Sequence, residues 1–218
     1  MYVRKQHQWT DREEVFALIE AHALGAWVCH GAQGLIANHV PFVLDRSRGE
    51  HGTLMCHVSR ANPVWRALGA GAPSVVMFRG PQAYISPGWY PGKAEHGKVV
   101  PTWNYVAANA HGTARVVDDP DWLLGQLNRL ADAHEAGQAQ PWRVDDAPAD
   151  YTGKLLRAIV GIEIPIERLE SKLKASQDEA LEDRRGTVAG LHRERGEEVA
   201  RMACLVQKAL DAEVPGPP

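Results

Sequence analysis

The run WNYVAANAHGTARVV, Trp103 to Val117, decides how the rest of this sequence is read. It is rich in β-branched and aromatic residues and follows VPT, and period-2 alternation divides its start into two faces. Thr102, Asn104 and Val106 fall on one face, and Trp103, Tyr105 and Ala107 on the other. The first face is polar enough to hydrogen-bond a ligand. The second offers two rings to a core or to a partner subunit.

Outward from this run the same texture recurs. AWVCH (26–30), LIANHVPFVLD (35–45), TLMCHVS (53–59) and SVVMFRG (74–80) are short β-rich runs broken by Gly, Pro, Asp and Ser. Strands so closely spaced predict an antiparallel barrel or sandwich rather than a parallel α/β sheet. The glycines of GAQG (31–34) and GTARVV (112–117) read as turn residues. In YTGKLLRAIVGIEIPIERLE (151–170) a short helix feeds a strand where Ile162, Ile164 and Ile166 alternate with Glu163, Pro165 and Glu167. Pro165 predicts an edge position or a bulge there.

Helices surround the β-rich core. Thr10-Asp11-Arg12-Glu13 predicts a capping box with Thr10 as N-cap, opening a helix of about four turns that stops near Gly25. Asn62 caps a short helix NPVWRAL (62–68), and Asp119-Pro120-Asp121 opens a longer one, DWLLGQLNRLADAHE (121–135). Two amphipathic segments follow around Arg184–Arg193 and Glu197–Ala212, and the terminal PGPP is expected to fray. Together these predict one β-barrel domain over residues 1–176, with peripheral helices, and a C-terminal helical extension over 177–218.

Composition narrows the function. The chain has 218 residues, 44 % hydrophobic and 23 % charged, as in an ordinary globular protein. No run of eighteen apolar residues spans a membrane, and the N-terminus has no apolar signal region. Cys29, Cys56 and Cys204 lie apart with no CxxC, which suits free thiols in the cytoplasm. A net charge of −3 gives no basic field to attract nucleic acid.

Three sets of residues offer chemistry. HVSRANP (57–63) ends a strand and starts a helix, so Ser59, Arg60 and the amides beyond Asn62 could hold a phosphate; equally, Asn62 merely caps and Arg60 is solvated. Lys172, Lys174 and Gln177 in KLKASQD could meet an anion and a heterocycle, or end a strand in solvent. His30, His39, His57 and His111 lack metal-ligand spacing, and neither a GxSxG elbow nor a GxGxxG loop occurs, so no metal and no catalytic nucleophile are expected.

The strings TDREE, NHVPFVLD, HVSRANPVW, GPQAYISPGWY, VPTWNYVAANAHGTA and IVGIEIPIERLESKLKASQD, in that order, make the chain resemble the PaiB family over roughly its first 190 residues. These are FMN-binding negative transcriptional regulators related to pyridoxamine-phosphate oxidases. The resemblance implies a mainly β fold with flanking helices, a six-stranded antiparallel Greek-key split barrel. It also implies a homodimer with FMN at the subunit interface. It places the phosphate at Ser59, Arg60 and Asn62 with His57 beside them. Thr102, Trp103, Asn104 and Tyr105 then line the ring or the dimer seam, and Lys174 and Gln177 reach the cofactor from the last strand. The alternative is an FMN-dependent oxidoreductase, or a haem-binding or haem-degrading relative, on the same fold. Direct DNA binding has no basic motif to carry it, RRGTVAGLHRER (184–195) being the one locally basic run.

Overall fold

The structure, a computed structural model, describes residues 1–32 and 34–212; the PGPP end lies outside the described residues. Its elements run α1 (Arg12–Ala21), β1 (Leu24–Gly31), β2 (Gly34–Pro41), β3 (Val43–Asp45), β4 (Thr53–Ser59), α2 (Val64–Ala67) and β5 (Ala72–Ile85). They continue with α3 (Gly92–Glu95), β6 (Thr102–Val117), α4 (Pro120–Glu135), α5 (Ala149–Arg157), β7 (Ile159–Lys174), α6 (Leu181–Arg193) and α7 (Glu197–Asp211). The strands form one sheet in the order β2-β1-β5-β6-β7-β4-β3. The pairs β1–β2, β1–β5, β3–β4 and β4–β7 are antiparallel. This is the mainly antiparallel, helix-flanked class expected of a split barrel, with seven strands where six were expected. The short β3, which continues the LIANHVPFVLD run beyond Pro41, is a strand of its own.

The chain divides into two compact units. The second unit holds Phe16–Phe78 and Asn109–Glu170. Its core packs Trp27, Leu54, Phe78, Leu123, Ile162 and Ile164, all essentially inaccessible. The alternation read in IEIPI is realised, since Ile162, Ile164 and Ile166 are all buried. Pro165, however, is in an interior strand, between β6 and β4. It is tolerated because it pairs with Thr53, the first residue of β4, where the ladder begins, and the next bond runs from Ile166 N–H to Gly52 C=O at 3.0 Å. Gly112 is not a turn residue either. It lies inside β6, where a Cβ would stand 2.1 Å from the Pro165 carbonyl oxygen. The Gly31–Gly34 pair does form the β1–β2 turn, with Gly34 at φ 112°.

The first unit holds Met1–Val15, Arg79–Ala108 and Ser171 onward. Its α1 start is capped by Asp11 rather than Thr10: Asp11 Oδ1 accepts from the Glu14 amide at 3.1 Å, and its carbonyl takes the Val15 amide. A cap one residue later and an end at Ala21 leave ten residues, about three turns, and Gly25 is already in β1. Glu14 in turn accepts the Trp9 indole at 2.7 Å and pairs with Lys208 of α7. These bonds hold its carboxyl below the usual range, the Lys208 bond contributing most. α6 carries a notch of glycines against the SPGWY turn, where a Cβ on Gly186 would lie 2.1 Å from the Trp89 carbonyl oxygen and one on Gly190 2.1 Å from the Trp89 ring.

That notch gives a paired stability test. Gly190→Ala must displace the Trp89 ring and is expected to cost about 1–3 kcal/mol. Gly125→Ala, in α4 with nothing near a new Cβ, is expected to gain about 0.5–1 kcal/mol from backbone entropy. Urea unfolding of both variants measures the contrast; equal midpoints would show that the notch carries no packing.

Candidate functional site

In the second unit, the HVSRANP turn is tied into the protein. Arg60 donates to both carboxylate oxygens of Asp118, through Nη1 at 3.0 Å and Nη2 at 2.6 Å. It also donates to the Arg157 and Ile159 carbonyls, each at 3.0 Å, so most of its fork of donors is engaged. Ser59 Oγ accepts the Ala61 amide at 3.2 Å. Asn62 Oδ1 accepts the Val64 amide at 3.0 Å, as expected of a cap, while its Nδ2 donates to Asn38 at 2.9 Å. His57 Nδ1 lies 2.9 Å from Oε1 of the buried Gln126. The Arg60 pair holds the Asp118 carboxyl below its usual range.

In the first unit, a cleft of about 460 Å³ gathers Thr102, Trp103, Tyr105 and Lys174, four of the residues singled out in the sequence. Its volume is in the range of about 300–1,000 Å³ typical of small-molecule sites. Lys172 of KLKASQD lines it too, lying over the Tyr105 ring at 4.9 Å and reaching the Tyr2 carbonyl at 3.5 Å. Lys174 donates to the Thr102 hydroxyl. Tyr2, Arg4, His7, Asp178 and Glu179 complete the wall and were not anticipated. The one sequence signal for Asp178 is that it closes KLKASQD; MYVRKQH mixes rings and cations but has no periodicity that would announce a site.

Charge in this cleft is arranged in opposition. Asp178 takes Arg4 at 3.5 Å and His7 at 3.3 Å. Burial holds His7 below its ordinary 6.5, with Asp178 pulling the other way, so its imidazole is neutral at pH 7. Burial also pushes the Glu179 carboxyl up, helped by Asp178 and Asp183, while Lys174 pulls it down. Three cations, Arg4, Lys172 and Lys174, thus face two carboxylates, one of them raised.

The alternation in β6 is real, but its two faces have the opposite exposure to a core of rings with a polar surface. Trp103 is 53 % exposed and meets the half-exposed Tyr84 edge-on at 6.0 Å. Asn104 is fully buried, donating to Ser176 Oγ at 2.8 Å, and its Oδ1 has no partner among the described residues. Gln177 spends its amide on the turn after β7, accepting the Ala175 N–H and donating to the Leu173 carbonyl, both at 2.7 Å. The residues expected to bind a cofactor therefore fall into two groups. His57, Ser59, Arg60 and Asn62 belong to the second unit; Thr102, Trp103, Asn104, Tyr105, Lys174 and Gln177 belong to the first.

A cleft that sets ammonium and guanidinium groups beside flat exposed rings can take a phosphate and a planar ring system together. On this frame, that is the chemistry of a flavin-nucleotide-binding protein. Comparison with known proteins supplies the family. Residues 1–168 match the family model described as "Putative FMN-binding domain", and the chain belongs to that FMN-binding family. It is 28 % identical to Protease synthase and sporulation protein PAI 2 of Bacillus subtilis over 98 % of this chain and 100 % of that protein. It is also 33 % identical to protein AN0679 of Emericella nidulans, over 87 % and 90 % of the two chains. The resemblance to PaiB therefore extends along the whole chain, beyond the stretch whose motifs carried it. Among solved structures, the FAD and heme binding protein from Mycobacterium smegmatis superposes with a TM-score of 0.60 at 23 % identity, covering 81 % of this chain and 78 % of that one. The flavocytochrome Anf3 from Azotobacter vinelandii gives 0.55 at 17 %, covering 79 % and 72 %. These two likenesses concern the fold.

Among the described residues no helix is long and apolar enough to cross a membrane, and no cluster of three His, Cys, Asp or Glu could hold a metal ion.

The Arg60–Asp118 pair makes a pH prediction. Because Asp118 is depressed in the folded state, its stabilisation is present above its ordinary value of 3.8 and is lost as pH falls through the lower folded value. Arg60→Ala is expected to lower the melting temperature at pH 7 and to approach the parent protein as the pH falls below 3.8 and through the lower folded value. Melting curves from pH 2 to 7 check this; a deficit independent of pH would assign the loss to the carbonyl bonds instead.

Proposed function

We propose that this chain is a cytoplasmic, homodimeric flavin-binding regulator of the PaiB type that seats FMN in the cleft of its first unit. The observation that carries the cofactor assignment is the convergence of Lys172, Lys174 and Arg4 on the same cleft as the exposed ring of Trp103 and the half-buried ring of Tyr105. FMN, when bound, supplies a redox-capable isoalloxazine and a dianionic phosphate. The cations balance the phosphate, the rings lie against the isoalloxazine, and the Thr102 hydroxyl hydrogen-bonds the polar portion of the ligand. His57, Ser59, Arg60 and Asn62 serve the fold here, since each already has a partner in the protein. α6 and α7 act as a helical extension of the FMN-binding part, whose cleft takes Asp178 and Glu179 from the connection that precedes them.

The regulatory role is supported by the full-length likeness to PAI 2, whose name links it to protease synthesis and sporulation. A net charge of −3 favours control through a partner or through the flavin over direct operator binding. The free thiols of Cys29, Cys56 and Cys204 suit the cytoplasm. His7, neutral and in the same cleft, can accept a proton, and it favours a second reading as a flavin-dependent oxidoreductase.

Flavin fluorescence quenching tests the assignment. Lys172→Ala and Lys174→Ala are each expected to weaken FMN binding by about 1.5–3 kcal/mol, the range for a hydrogen bond to a charged group. Arg60→Ala is expected to leave the affinity unchanged at pH 7. The reverse pattern would move the phosphate to the HVSRANP turn. FMN-dependent NAD(P)H consumption would favour the oxidoreductase; a salt-sensitive shift of promoter DNA by the purified protein would establish direct DNA binding. Light scattering of the purified chain reads the oligomeric state.

A further inference from the structure

The second unit carries another concavity, unrelated to the residues assigned to FMN. It encloses about 360 Å³ between α4, the segment that follows it, and α5. Leu127 and Leu130 form its floor from α4, with Val144 beside them and Trp142 at its side; Tyr151 and Leu155, one turn apart on α5, form the opposite wall. Three of these side chains are large, apolar and in water: Trp142 is 48 %, Tyr151 54 % and Leu155 48 % exposed. α5 has no buried residue at all. The groove is thus the size of a small-molecule site and has walls that gain by being covered.

Its electrostatics select the occupant. Among the described residues that line it, Glu135 carries the one carboxylate and His134 the one imidazole, and no Lys or Arg lines it. One Glu135 oxygen accepts the Trp142 amide at 3.1 Å, which fixes the carboxylate beside the indole at the end of α4. The surrounding stretch, residues 132–157, holds five carboxylates (Asp132, Glu135, Asp145, Asp146, Asp150) against three cations (Arg143, Lys154, Arg157). An anionic ligand is repelled here and a neutral one leaves the carboxylate unused. A cation with an apolar body instead meets a carboxylate and two aromatic rings that also attract positive charge.

We propose that this groove is a binding site for a small lipophilic cation, an organic amine with an aromatic or aliphatic body, held by Glu135 with Trp142 and Tyr151. In an FMN-binding chain it is a second ligand site, on residues separate from those assigned to the flavin.

Calorimetric titration of the full FMN-saturated chain tests it with two probes of one body and opposite charge, 4-phenylbutylammonium and 4-phenylbutyrate. The ammonium is expected to bind and the carboxylate not. Glu135→Gln is expected to lose about tenfold in affinity for the ammonium through the missing charge-assisted contact. Ala131→Trp, which fills the groove, is expected to abolish binding while FMN affinity is retained. Equal binding of the two probes, an unchanged affinity in Glu135→Gln, or binding that survives Ala131→Trp each overturns the proposal. A groove that binds neither probe, in a chain whose sedimentation changes from dimer to monomer on Leu155→Asp, is a subunit interface, and that result overturns it too.

Discussion

The neighbouring run of β6 and β7 is the constraint on which the rest of this structure depends. Two central strands of sixteen residues each must stay adjacent, and their approach is set by glycine. At Gly112 the β7 backbone at Pro165 comes so close that a Cβ would meet its carbonyl oxygen at 2.1 Å, a separation no side chain tolerates. Further along, in the first unit, the start of β6 and the end of β7 are joined by side chains: Lys174 to Thr102, and Asn104 to Ser176 just past the strand. The second of these bonds is fully buried and clamps a residue with φ at 62°, a left-handed conformation that a non-glycine residue adopts only when held there. Trp103, Tyr105, Lys172 and Lys174 are projected into the cleft from these same strand segments, so this part of it inherits the register of the pair.

The two clusters of positive charge differ in what the protein has already done with them. Arg60 meets a carboxylate with a bidentate fork and two main-chain carbonyls, an arrangement that neutralises it and leaves little for an external anion. The direct contacts of Lys172 and Lys174 are a ring face, a carbonyl and a hydroxyl, and the one carboxylate that Lys174 acts on, Glu179, is pushed up by burial. A phosphate would add charge compensation to the lysines, whereas at Arg60 it would have to displace Asp118. Residue type alone does not separate these cases; the partners do.

The strands were legible in the sequence because their alternation is local: Ile162, Ile164 and Ile166 point inward as their spacing says. So were the Asp119-Pro120 start of α4 and the Asn62 turn, whose caps close within three residues. What failed depended on contacts distant in sequence. Gly112 resembles a turn glycine until β7 is set beside it, and Pro165 resembles an edge residue until β4 is seen to begin opposite it. The two faces of TWNYV were read correctly as faces. Which one looks inward was not legible, because the polar face is the buried one and Asn104 finds its partner seventy-two residues away. The N-terminal part of the cleft was invisible for the same reason: Arg4 and His7 become site residues only through Asp178.

Asp178 and Glu179 lie in the short connection between the end of β7 and α6, and both ends of that connection are fixed. Upstream, Asn104 holds Ser176. Downstream, α6 is seated by its glycine notch on Trp89, and the Asp183 carboxylate in its first turn accepts the Gly92 amide at 2.9 Å. The two carboxylates of the cleft therefore have little freedom to move independently of α6, which packs with α7 in the same unit. The helices that read as an appendage in the sequence are thus joined to the cleft through this connection, which supplies its two carboxylates.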